Sequence, residues 1–126
     1  IGNYDVLQAR QATRDLFAQA EQRPDAVFVA SDQMAIAVLD TLRHELGLAV
    51  PRQVSVVGFD NVPQAAWESY ALTTFEQPVQ PMVEATVELL QSYLRGDAMP
   101  NTQNIVIAGQ LVLRGSCQNR HQERAT

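Results

Sequence analysis

Basic charge is what this sequence most lacks. Its 9 Lys and Arg residues never cluster, 14 Asp and Glu outnumber them, and the formal net charge is −5. A chain of this kind offers no phosphate footprint and is not expected to bind nucleic acid by itself. Cysteine is nearly absent: Cys117 stands alone, which excludes an internal disulfide and reads as an inert thiol. No apolar run approaches the roughly 18 residues that a membrane span needs, so no membrane partner is expected. Gly2, Gly47 and Gly58 are isolated, which leaves no glycine-rich phosphate loop. His44 falls in a helical stretch and His121 in the tail, neither with a carboxylate or cysteine at metal-ligand spacing. Neither a metal nor a cofactor is expected, and no nucleophile or acid–base pair points to an enzyme.

What is present is an ordinary globular balance, 46% hydrophobic and 18% charged. The length fits one domain or a fragment of a larger one. The chain begins at Ile1 rather than Met and shows no basic-then-apolar leader, so it reads as part of something longer. Helical periodicity runs from about Asp5 to Glu21, with Leu7, Leu16, Phe17 and Ala20 on the apolar side. Pro24-Asp25 ends it, and residues 26–30 (AVFVA) read as a short buried strand. Ser31 or Asp32 caps a second helix that carries Met34, Ile36, Ala37, Val38 and Leu42 and stops at Gly47.

The run 54–61 (VSVVGFDN) then reads as a strand buried on both faces. A short helix is expected from Pro63 to Ser69, and a strand at 72–75. Beyond Gln77-Pro78 a long helix reaches Arg95, with Gly96 just past its end. Its apolar residues, from Met82 to Leu94, form a stripe too broad for a surface helix and call for partners on two sides. Residues 105–107 and 111–113 read as closing strands, and the tail from Gln118 as frayed.

Strand–helix alternation with apolar strands specifies an α/β fold: an open parallel sheet with helices on both faces, a three-layer sandwich. Ligands of such sheets bind outside the carboxyl ends of the strands. Polar groups follow three strand ends here: Asn3-Tyr4, Ser31-Asp32 and Asp60-Asn61. A carboxylate, an amide and an aromatic ring together suit a polyhydroxylated ring, a purine or another flat polar metabolite. Plainer readings stand beside these. Ser31 and Asp32 serve as helix caps, Asp60-Asn61 before Pro63 as a turn, Tyr4 as a core lid, and Trp67 as packing or an interface anchor.

The segments RPDAVFVASDQMAIAVLDTLRHELGLAVPRQVSVVGFDN, LTTFEQP and LVLRGSC, in this order and spacing, resemble the carboxyl-terminal part of the lactose/galactose repressor family of bacterial transcription regulators. The resemblance runs from Gly2 to about Cys117. It implies a periplasmic-binding-protein-like lobe from a two-lobed effector-binding core, with a helix-turn-helix head and most of the first lobe upstream of this sequence. Residues 1–76 would be the second lobe, 77–100 a crossover whose helix packs on the first lobe, 101–117 closing strands and 118–126 a tail.

By the same resemblance, Asp60 is the effector-contacting aspartate, Tyr4 the aromatic that stacks on the ligand, and Ser31 a ligand-bonding position usually held by Asn. Gln77 faces the cleft from the crossover. Asn3, Asn61 and Ser31 each replace a more common residue of the family and reduce or neutralise the polar rim. An arginine that often holds the ligand would lie upstream. Ile36 and Trp67 fall on the family's dimer surface.

The implied function is sensing of a sugar-like effector by a cytoplasmic homodimeric regulator, which meets operator DNA only through the missing head. The alternative from the same architecture is a periplasmic sugar-binding protein of a transport system.

Overall fold

A computed structural model describes residues 3–97 and 104–118. The expectations placed on Ile1, Gly2, residues 98–103 and the tail from 119 on, His121 included, lie outside the described residues. The chain order is α1 (Val6–Leu16), β1 (Ala26–Phe28), α2 (Asp32–Asp40), β2 (Ser55–Asp60), β3 (Thr73–Glu76), α3 (Val79–Arg95) and β4 (Gln110–Val112). Single 3-10 turns occupy Ala20–Gln22 and Pro63–Ala66, and α2 runs on into a wide π-type turn over Thr41–Glu45. The sheet order is β1-β2-β3-β4, with β1, β2 and β3 parallel. Residues up to Glu76, together with those from Leu111 on, form one compact unit, and Gln77–Gln110 forms a second.

In the first unit, α1 starts where Asp5 accepts the Gln8 amide at 2.8 Å, a side-chain cap for an orphan helix donor. The buried residues of α1 are Ala9 and Thr13, and Phe17, its C-cap, continues the four-residue spacing down the same face. Leu7 and Leu16, assigned to the apolar side from periodicity, are exposed. Small residues on the inner face let α1 approach α2 closely, and Thr13 removes its own polar cost by donating to the Ala9 carbonyl at 2.7 Å. The helix also stops at Leu16, short of the expected Glu21.

Helix α2 buries Met34, Ala35, Ala37, Val38 and Leu39, and Leu42 follows in the next turn. Gly47 then takes φ +63, which a side chain tolerates poorly, and the chain leaves the helix.

The strands differ from the two-sided burial expected of them. In β2 Val56 and Gly58 are buried, whereas Val57 and Phe59 are half-buried. On their face, Phe28 is 64% exposed, and Phe59 stacks on Phe75 with ring centroids 6.0 Å apart. A continuous apolar run signals cover on both sides. The elements of the first unit bury only one of them fully. Residues 105–107 take no strand pairing, and only 110–112 extend the sheet. The short helix expected from Pro63 is one 3-10 turn.

In the second unit α3 matches its expected span, and Gly96 closes it at φ +74, donating to the Ser92 and Tyr93 carbonyls. No residue of α3 is buried, and Leu94 is 81% exposed.

Candidate effector-binding rim

Parallel pairing delivers the strand ends to one side. The register sets Asp60 opposite Glu76, so two carboxyl groups share the rim, and Gln77 follows directly in the chain. Ser31 stands after β1. Its hydroxyl accepts the Met34 amide at 3.3 Å, which makes Ser31 the N-cap of α2. Asp32, the competing cap candidate, is the first helical residue and does something else.

The Asp32 side chain is completely buried and joins three elements. Its Oδ1 accepts from Thr74 Oγ1 at 2.6 Å, and its Oδ2 accepts from the Val62 backbone N–H at 2.9 Å. Strand β2 makes room for it. A Cβ added to Gly58 would overlap Asp32 Oδ1 and meet Leu72 Cδ2 at 3.0 Å. Glycine is therefore required at 58 for close approach rather than for backbone freedom.

On the other side of the turn stands Arg114. Its Nη2 donates to Asn61 Oδ1 and its Nη1 to the Leu72 carbonyl, each at 2.7 Å. Its backbone N–H donates to Thr73 Oγ1 at 2.9 Å. Ser116 continues this seam, accepting from the Thr73 N–H at 2.7 Å and donating to the Val56 carbonyl at 2.6 Å. Cys117 donates its thiol to the same carbonyl at 3.3 Å. Burial pushes the thiol above its ordinary pKa, against the pull of hydrogen bonds from Thr73 and Ser116. A protonated thiol is a poor nucleophile.

Between the two grips the backbone turns left-handed, with φ +123 at Asp60 and +61 at Asn61. Non-glycine residues adopt such values at a cost, and the surroundings must hold them there. The opposite end of the sequence behaves differently. Asn3 and Tyr4 also have positive φ, +47 and +54, but they sit in the turn before α1. Asn3 donates to Gln8 Oε1 at 2.7 Å, and Tyr4 is 75% exposed.

The structure thus links Ser31-Asp32, Asp60-Asn61 and Thr74 through hydrogen bonds and register. It ties Asn3-Tyr4 to α1. Sequence reading placed Asp32 at the rim but as a cap candidate, and missed Thr74 and Arg114. The available signals were the glycine inside an apolar strand and the arginine inside LVLRGSC.

An apolar cavity of about 230 Å³ opens between α1, β1 and α2, lined by Phe17, Val27, Met34 and Val38 among others. Such a lining suits hydrocarbon and not a polyhydroxylated ligand. Among the described residues no group of three or more His, Cys, Asp or Glu is placed to hold a metal ion, and no helix is long and apolar enough to cross a membrane. Trp67 is 56% exposed and stacks on Tyr70 with centroids 6.4 Å apart. Ile36 is half-buried on α2.

The family model of a periplasmic binding protein-like domain matches residues 2–117. Among curated proteins, the chain is similar to the HTH-type transcriptional repressor MelR of Bacillus subtilis. Identity is 34% over 117 residues, covering 93% of this chain and 33% of that protein. Among solved structures, it is similar to a LacI family transcriptional regulator from Lactobacillus casei with bound sucrose. The TM-score is 0.73 at 32% identity, over 89% of this chain and 40% of that one. It is also similar to the lac repressor dimer bound to operator and the anti-inducer ONPF. There the TM-score is 0.82 at 27% identity, over 94% and 40%.

The chain spans about a third of the length of the curated relatives it matches. With its sheet, its order of motifs and these matches, the chain belongs to the periplasmic binding protein-like domain family, in the form found in regulators of the lactose/galactose repressor type.

Proposed function

We propose that this chain is the ligand-sensing and dimerisation module of a bacterial DNA-binding transcription regulator, and that it binds a sugar-like effector without chemistry. The observation that carries this reading is the rim itself: Asp60 stands at the end of β2, opposite Glu76, in a backbone conformation held from both sides. Its carboxyl accepts sugar hydroxyls at the ring edge, and charge-assisted bonds of this kind are among the stronger polar contacts. By the family resemblance, Tyr4 would stack on the ring face, and Asn3, Ser31 and Gln77 would supply further polar contacts. The sucrose bound by the Lactobacillus casei neighbour supports this ligand class.

The regulator works as a cytoplasmic homodimer, with operator DNA met only by a head outside this sequence. Ile36 and the exposed Trp67 form the dimer contact, the indole held ready by Tyr70. Effector and operator are linked because the effector favours one lobe arrangement over the other, and such coupling is reciprocal. The relatives' names favour this over a transport-associated binding protein, which needs no dimer surface.

The test uses the intact protein and a panel of mono- and disaccharides that begins with sucrose, read by calorimetry. Asp60→Ala should weaken the best-bound sugar by about tenfold to a hundredfold. Unchanged affinity would remove Asp60 from the site. Sedimentation of an Ile36→Glu variant should show a dimer dissociating; a protein that is monomeric before the change would favour the transport reading.

A further inference from the structure

We infer that Asp32 is a positioning residue of this rim, holding the turn after β2 so that Asp60 and Asn61 keep the positive-φ conformation that presents Asp60. The inference rests on the reading of Asp60 as the effector carboxylate.

Asp32 has no capping duty, because Ser31 already accepts the Met34 amide. A carboxyl group in a fully enclosed position is costly unless its oxygens are bonded, and here both are, to Thr74 and to the Val62 N–H. Neither partner belongs to α2. Both flank the turn that carries Asp60, one at its far end and one on the neighbouring strand. Strand β2 gives up a side chain at Gly58 so that Asp32 can reach them.

Three elements have thus adapted to one carboxyl, and the segment they fix is the one with consecutive positive φ values at Asp60 and Asn61. Arg114 holds the same turn from the opposite side through Asn61 Oδ1. A site built on a turn is only as accurate as the groups behind it. Asp32 supplies that backing without touching the ligand.

Hydrogen exchange in the intact protein, read by mass spectrometry over peptides spanning 59–63, tests this. Thr74→Val keeps shape but takes away the donor that orients Asp32. It should raise exchange at the Val62 amide by about tenfold, roughly one net hydrogen bond. Thr74→Ser restores the hydroxyl and should stay within about twofold of the parent, while Asp32→Asn, which keeps one acceptor, should fall between. The rest of α2 and β2 should exchange as in the parent.

Unchanged exchange at Val62, acceleration spread evenly across α2 and β2, or failure of Thr74→Ser to rescue would each overturn the inference. Sucrose affinity of the same variants is the second readout, expected to weaken about tenfold in Thr74→Val, less in Asp32→Asn and not in Thr74→Ser. If no sugar binds the parent protein, the sugar-site reading fails, and the exchange pattern still decides whether Asp32 sets the turn.

Discussion

Helices α2 and α3 are both rich in apolar side chains, yet α2 buries six of its nine residues and α3 buries none of its seventeen. Helix α2 lies against β2 and α1, and even its first residue, Asp32, is enclosed. Helix α3 holds its form through local means: no glycine or proline after its first turn, a Thr86 hydroxyl returned to the Met82 carbonyl at 2.7 Å, and a left-handed glycine at its end. Local signals are enough to specify a helix, but only packing gives its apolar side chains something to stabilise. An apolar helix stripe open to water marks a surface made to be covered. The family resemblance implies the first lobe as that cover.

The largest effect expected from this contrast is in the first unit. Leu39→Ala removes a completely buried side chain beneath the sheet and should cost about 2–5 kcal/mol in a urea melt. Leu90→Ala, its counterpart on α3, should change the same melt of this chain by no more than about 0.5 kcal/mol. If the two losses were equal, the contrast between the helices would be false.

Gly58→Ala comes next. The new methyl has no room beside Asp32 and Leu72, so a loss of about 1–3 kcal/mol is expected from overpacking, with Asp32 displaced. A neutral result would mean that Asp32 is not wedged where the structure puts it. Ser31→Ala, which removes the cap of α2, should cost about 1 kcal/mol by thermal melting.

The smallest effect belongs to the surface bridge between Glu45 and Arg14, N to O 2.7 Å. The hydrogen bond from Arg14 holds the Glu45 carboxyl below its ordinary pKa of 4.5, with desolvation acting in the opposite direction. Its contribution is therefore present above that value and is lost as pH falls through the lower, folded one. Melting curves of Glu45→Gln and the parent should differ slightly at pH 7 and converge on acidification. A gap that widens toward acid would reverse the assigned sign.

Periodicity and punctuation made α2, α3 and β2 legible within a few residues, because a buried stripe, a capping serine and a terminal glycine are local facts. The inner face of α1 was not legible. Leu7 and Leu16 are more apolar than Ala9 and Thr13, but close approach to α2 favours the smaller pair, and that preference arises only once a neighbour is present.

The rim divides in the same way. Asp60, Ser31 and Gln77 follow strands or open a helix, so their place at one edge follows from a parallel sheet alone. Asp32 and Thr74 are 42 positions apart in the chain and bonded in the fold, and Arg114 reaches Asn61 across 53. No spacing rule in a sequence encodes pairs of that kind.

The sequence by itself determined the helix and strand types, the parallel sheet and the end of it that carries polar groups, since each follows from patterns a few residues long. The tertiary structure decided which carboxyl is sealed inside the fold, which strand-end turn is held at positive φ, and which apolar helix has no buried residue. Those outcomes depend on distances between segments far apart in the chain, and only the packed fold sets them.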